Sequence, residues 1–124
     1  MQLVRERNIP SFFLLDVEFP YLYRASRLGE RAIAVRFSED EPFELVYNYN
    51  KLVDWVWVDT NTKLPIDSNN TNALSSMQTC LVCPERWGRP NDIIPYRQSM
   101  KSLGFNPSAV MTNLNYIHLW EEVI

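Results

Sequence analysis

Acidic, basic and hydroxyl side chains stand at or just past the end of each apolar run in this chain. Asp16 and Glu18 close the first run, Arg36, Ser38, Glu39 and Glu41 the second, and Asp59 with nearby Lys63 the third. Pro84, Glu85, Arg86 and Trp87 follow the fourth, and Thr112 and Asn113 the fifth. The carboxylates Asp16, Glu39, Asp59 and Glu85 are the oxygen ligands a hard divalent ion such as Mg or Ca prefers, and the same groups can supply an acid/base pair. Arg36, Arg86 and Arg89 offer a different chemistry, forked N–H donors for a phosphorylated or acidic small molecule. Trp87 and Thr112 complete the ligand-facing set. Arg36 can instead pair with a neighbouring carboxylate, which would turn the whole set into a structural ion network.

Other reactive residue types read as structure. Cys80 and Cys83 form a lone CxxC inside an apolar run, and the single histidine, His118, is far along the chain. A zinc site would need two more ligands. On a strand, positions three apart point to opposite faces, so the two thiols are expected as ordinary buried groups. His118 falls on an expected final helix beside Trp120, as a surface or half-packed residue. Trp55 and Trp57 share one strand face at a period of two and are expected to pack.

The elements that must carry these residues repeat with a regular rhythm. Ser11 to Asp16 (SFFLLD), Ala32 to Arg36 (AIAVR), Trp55 to Asp59 (WVWVD), Thr79 to Cys83 (TCLVC) and Ala109 to Thr112 (AVMT) are short, nearly continuous apolar runs. Such runs are expected of strands buried on both faces of a parallel sheet. Their starts lie about 21 to 30 residues apart, the length of a strand plus a crossover helix. Ligands of parallel α/β folds bind at the carboxyl ends of the strands, which is where the polar groups above fall.

Between the runs, helices are expected over Tyr21 to Leu28 (stopping at Gly29), Phe43 to Leu52 after Pro42, Asp92 to Leu103 ending at Gly104, and Asn115 to Val123. In the second, Phe43, Val46, Tyr47 and Asn50 form one line. Residues 1 to 8 read as the last turns of a further helix, and Asp67 to Ser76 as a polar loop with at most a short helix. The expected fold is therefore α/β, a partial (β/α) TIM-type barrel of about five parallel strands with crossover helices, in one domain covering residues 1–124.

Composition narrows the function. Hydrophobic residues make up 46% of the 124, with three glycines and eight prolines, the make-up of a folded domain. A net charge of -3 argues against a sequence-independent nucleic-acid binder, which needs clustered Lys and Arg. No apolar run reaches the roughly 18 to 20 residues that span a bilayer, and the N-terminus has no apolar leader segment. The expectation is a cytoplasmic protein without a membrane span.

Four segments, Val35 to Glu41 (VRFSEDE), Trp55 to Asp59 (WVWVD), Leu81 to Arg89 (LVCPERWGR) and Leu103 to Leu114 (LGFNPSAVMTNL), resemble the C-terminal part of a phosphodiesterase-type TIM barrel. That superfamily contains the glycerophosphodiester phosphodiesterases and the phosphatidylinositol-specific phospholipases C. The resemblance implies a barrel whose active members cleave phosphodiesters with two histidines and a carboxylate-bound divalent ion. With one histidine and no His-Arg-Gly opening motif, this chain cannot run a two-histidine mechanism alone. Asp16, Glu39, Asp59 and Glu85 carry over only as pocket positions.

A closed barrel needs eight strands and about 200 to 250 residues, and five strands leave two unpaired edges. The expected molecule is thus a half-barrel related to phosphodiester hydrolases, non-catalytic alone or contributing part of a site, and completed by a complementary barrel half or a second copy, or else covered on its open sheet by its own helices. The alternative is a small open-sheet module that binds a phosphorylated or acidic small molecule, or a protein partner, through Arg36, Arg86 and Arg89.

Overall fold

The computed structural model describes Phe13, Leu15 and residues 19–121. Its elements run α1 (Phe19–Arg27), β1 (Ala34–Phe37), α2 (Glu44–Tyr49), β2 (Trp55–Val58), α3 (Thr71–Ser75), β3 (Gln78–Val82), α4 (Ile93–Leu103) and β4 (Ala109–Met111). Short 3-10 turns at Pro84–Trp87, Pro90–Asp92 and Leu114–Leu119 link or follow them. The four strands form one all-parallel sheet in the order β1-β2-β3-β4, so each crossover returns the chain to the next position in the sheet.

Register assigns the two faces. Arg36, Trp57, Cys80 and Ala109 form one row across the sheet, and Phe37, Val58, Leu81 and Val110 the next, on the opposite side. The face bearing Val35, Phe37, Val56, Val58 and Leu81 packs against Leu22 and Ala25 of α1, Val46 and Tyr49 of α2, Leu74 of α3, and Ile93 and Met100 of α4. Each of the four described helices therefore packs buried residues onto this one side. Burying a side chain of this size stabilises the fold by about 1.5–3 kcal/mol, so this side is the main core. The second face, with Ala34, Trp57, Cys80 and Val82, packs against Phe13, Leu15, Trp55, Ala109 and Met111, and among the described residues no helix covers it.

Local chemistry explains the helix ends. In α4, Ile93, Tyr96 and Met100 recur at spacings of three and four and are buried. Gly104, at φ 69°, then turns the chain so that the Phe105 N–H returns to the Met100 carbonyl at 2.9 Å.

Several expectations change. Four strands, not five, are described: the expected first strand lies outside the described residues except for Phe13 and Leu15, which are not part of the sheet. The expected helix over residues 1 to 8 lies outside them as well. Helix α2 is shorter than expected, because Leu52 and Val53 fold back onto the Tyr49 carbonyl and end it. Tyr47 stays half-exposed against Phe43, at 5.0 Å between ring centroids, while Val46 and Tyr49 enter the core. The final segment is a 3-10 turn and not the expected α-helix. Bonds of the tighter i to i+3 kind join Tyr116 to Asn113 and Trp120 to Ile117. This places Trp120 in the core, and Arg97 holds the turn by donating to the Leu119 carbonyl at 2.7 Å. Asp67 to Ser76 is a loop with the short helix α3, as the sequence indicates.

No described helix is long and apolar enough to cross a membrane.

Candidate functional site

The carboxyl ends of the four strands form a rim in which every adjacent pair is tied by side chains. Between β1 and β2, an Arg36 Nη donates to Asp59 Oδ2 at 3.1 Å, and Glu39 accepts from the Thr62 N–H at 2.7 Å and its hydroxyl at 3.1 Å. Arg36 also stands 3.1 Å from Glu41. Between β2 and β3, the Trp87 indole N–H donates to Asp59 Oδ1 at 3.0 Å, and the Thr60 hydroxyl to the Val82 carbonyl at 2.9 Å. Between β3 and β4, Glu85 accepts from the Thr112 hydroxyl and, at 3.1 Å, from the Asn113 N–H.

Asp59 is the hub. Its side chain is 6% exposed, and three donors reach it: Arg36, Trp87 and the Thr60 N–H at 2.9 Å. A carboxylate this buried stays in place only when its charge and lone pairs are met.

The segment after β3 is shaped to bring Trp87 there. Pro84 opens a single 3-10 turn and Gly88, at φ 80°, closes it with its N–H on the Glu85 carbonyl at 3.0 Å. The Arg89 N–H returns to the Pro84 carbonyl at 3.1 Å. The Arg89 guanidinium then grips the Thr60 carbonyl, the Tyr96 hydroxyl and, at 2.8 Å, Asp92. Arg86 remains exposed, its guanidinium carbon 5.5 Å from the centre of the Trp87 ring and one nitrogen 3.9 Å from the Met111 sulfur.

The structure thus brings Arg36, Asp59 and Trp87 into one connected group, and places Glu85 with Thr112 in a second. Glu39 belongs to a third set with Thr62, and Asp16 lies outside the described residues. No three His, Cys, Asp or Glu side chains converge among the described residues. Among the described residues, this arrangement offers no converging ligand set to a divalent ion of the kind the resemblance implies. The Arg36 cation and two N–H donors already occupy Asp59, and Glu39 and Glu85 turn to separate partners. Each of these two keeps one buried oxygen without a hydrogen-bond partner, Oε2 in Glu39 and Oε1 in Glu85. They are single oxygens of different sets.

Sequence reading missed Thr60, Thr62 and Tyr96. Arg89 and Asp92 at i, i+3 on the way into a helix are a legible pair, but nothing local marks the Thr60 carbonyl as the guanidinium's third partner.

The two cysteines are free and buried, Cys80 on the second face and Cys83 in the helix-side core. Burial pushes the Cys80 thiol up to about 11 and also raises that of Cys83, with the neighbouring Glu85 charge adding to it. Neither is a ready nucleophile. His118 is exposed on the last turn.

No family model, curated protein or solved structure matches this chain.

Proposed function

We propose that this chain is a section of a (β/α) barrel, related to the phosphodiester hydrolases but non-catalytic by itself, whose strand-end rim binds a small phosphorylated or acidic molecule. The observation that carries the binding part is the state of the rim charges. Asp59, Glu39 and Glu85 are engaged by donors from neighbouring strand ends, and Arg36 and Arg89 by carboxylates. Arg86 makes no ion pair among the described residues and is exposed. Arg86 is therefore the guanidinium open to an anion, while Glu39 and Glu85 keep their negative charges on neutral donors.

The strand order supports the barrel part. Consecutive parallel strands with all helices on one side are the repeating unit of a (β/α) barrel, in which the other face turns inward. Here that face carries Trp55, Trp57, Cys80, Val82 and Met111. Within the chain Phe13 and Leu15 already pack on this face, where Trp57, Cys80 and Val82 are buried; in this reading a second copy or a complementary barrel section joins the sheet edges, and the strand ends become one side of a shared rim.

Heat unfolding with added ions, together with native mass by light scattering, tests both parts. Inorganic phosphate at ten times its dissociation constant should raise the melting temperature by about 5–6 °C, Arg86→Gln should remove the shift, and millimolar Mg should give none. A cooperative dimer supports the completed barrel. A Mg shift without a phosphate shift would overturn the anion-binding reading, and a cooperative monomer would overturn completion by a second copy.

A further inference from the structure

We propose that Trp87 and Arg86 together bind a small molecule carrying both an aromatic ring and an anionic group, with the ring stacked on the indole and the anion on the guanidinium. A nucleoside monophosphate is the simplest member of this class. The proposal names the ligand of the rim and so rests on the anion-binding reading above.

Trp87 is 42% exposed, at the end of a parallel sheet where such folds meet their ligands. Its exposure is not that of a loose surface side chain. The edge of the indole is committed through its N–H to Asp59, itself only 4% exposed. The backbone on either side is fixed too, by Pro84 and Gly88 around the turn and by the Arg89 guanidinium pinned to Thr60, Asp92 and Tyr96. With the N–H committed to Asp59 and the Arg86 guanidinium 5.5 Å over one face, the exposed remainder of the indole is what a ligand ring can meet. A ring already immobilised loses little freedom when a second ring stacks on it, which favours binding.

The adjacent charge has the right sign, and its guanidinium contacts the Trp87 ring and the Met111 sulfur. Arg86 has no carboxylate partner among the described residues, and the Met111 sulfur 3.9 Å away is a weak acceptor. At 5.5 Å from the ring centre, the guanidinium and the indole are close enough for one small molecule to touch both. Every nucleobase has a π-face, so the site reads ring plus anion and does not select one base.

Isothermal titration of the intact chain with adenosine monophosphate, ribose 5-phosphate and adenosine separates the contributions. Adenosine monophosphate should bind about tenfold or more tighter than either of the others, the usual scale of one stacked ring. Trp87→Ala should reduce it to the level of ribose 5-phosphate, Trp87→Phe should retain most of the advantage, and Arg86→Gln should reduce it to the level of adenosine. The wild-type Trp87 indole N–H resonance gives a second readout that needs no folded variant. It should shift with adenosine monophosphate and much less with ribose 5-phosphate. Equal binding of those two, with the indole signal unmoved, overturns the stacking proposal and leaves anion binding intact. Equal binding of adenosine and adenosine monophosphate overturns the role of Arg86. Binding of none of the three overturns the proposal and the anion-binding reading together.

Discussion

Trp87 and Asp59, 28 residues apart, are joined by a 3.0 Å hydrogen bond from the indole N–H to Oδ1. This bond closes the turn after β3 over the end of β2, and Asp59 passes the link on to Arg36 at the end of β1. Three strand ends thereby share one buried carboxylate.

Asp59→Asn keeps the shape but presents an N–H₂ group where Arg36 requires an acceptor, or loses the Trp87 and Thr60 bonds if it flips. Removing one partner of a buried pair costs about 3–5 kcal/mol. Here the Arg36 side chain is 41% exposed and can rehydrate, so about 1–2 kcal/mol is expected in urea unfolding. Trp87→Phe should cost about 1 kcal/mol. The double variant should fall short of the sum by about 0.5–1 kcal/mol, and strict additivity would show that the bond contributes nothing.

Arg89→Lys keeps the charge but not the fork. A single ammonium cannot reach the Thr60 carbonyl, the Tyr96 hydroxyl and Asp92 with fixed planar geometry. A loss of about 1–2 kcal/mol in unfolding free energy is expected. Stability equal to that of the parent would mean that the guanidinium grip is replaceable.

Gly88→Ala isolates backbone strain. Nothing lies within 4 Å of an added Cβ, so the cost comes from holding a side-chain-bearing residue at φ 80°. That is about 1–2 kcal/mol, and Gly88→Asn, which tolerates this region better, should lose less. Melting temperatures of the three proteins under one condition check the order.

The buried thiols give a pH dependence of defined sign. The Cys80 thiol is pushed from 9.0 up to about 11 by burial, so the unfolded chain releases its proton first. The contribution to stability is intact below about pH 9 and is lost as pH rises through about 11, a total of roughly 2–3 kcal/mol. Cys83 shifts in the same direction. Unfolding free energies from pH 7 to 11 should show the decline, and Cys80→Ala should reduce it. In the native protein neither thiol should react with a disulfide reagent at pH 8, and both should react in urea. Rapid native labelling of either would contradict its burial.

Much of the scaffold is legible in the residues themselves. Nearly unbroken apolar runs at Ala34–Phe37, Trp55–Val58 and Gln78–Val82 mark strands covered on both sides, because only such strands need no polar face. The period of two places Trp55 and Trp57 together, and the spacing of three separates Cys80 from Cys83 between two cores. Gly29 and Gly104 mark helix ends because the backbone there needs a positive φ. The polar groups at the strand ends are also visible as residue types, since each strand must leave the sheet for water.

Which of those groups meet is a different matter, and only the tertiary structure decided it. Arg36 finds Asp59 because β1 and β2 pair with Arg36 beside Trp57, which sets the carboxylate two residues farther along the same side. Glu39 turns to Thr62 and Glu85 to Thr112, each from a residue 23 or 27 positions away. Four rim carboxylates in a sequence look like one metal-binding set. In the folded chain the three that are described satisfy donors on neighbouring strand ends, because a buried charge takes the nearest partner that register and turn geometry offer. The last segment makes the same point. Its apolar spacing permits an α-helix, but burying Trp120 beneath the helix-side core draws it into a tighter turn. Sequence patterning determines what each element buries, while pairing across elements depends on where the packed core sets them relative to one another.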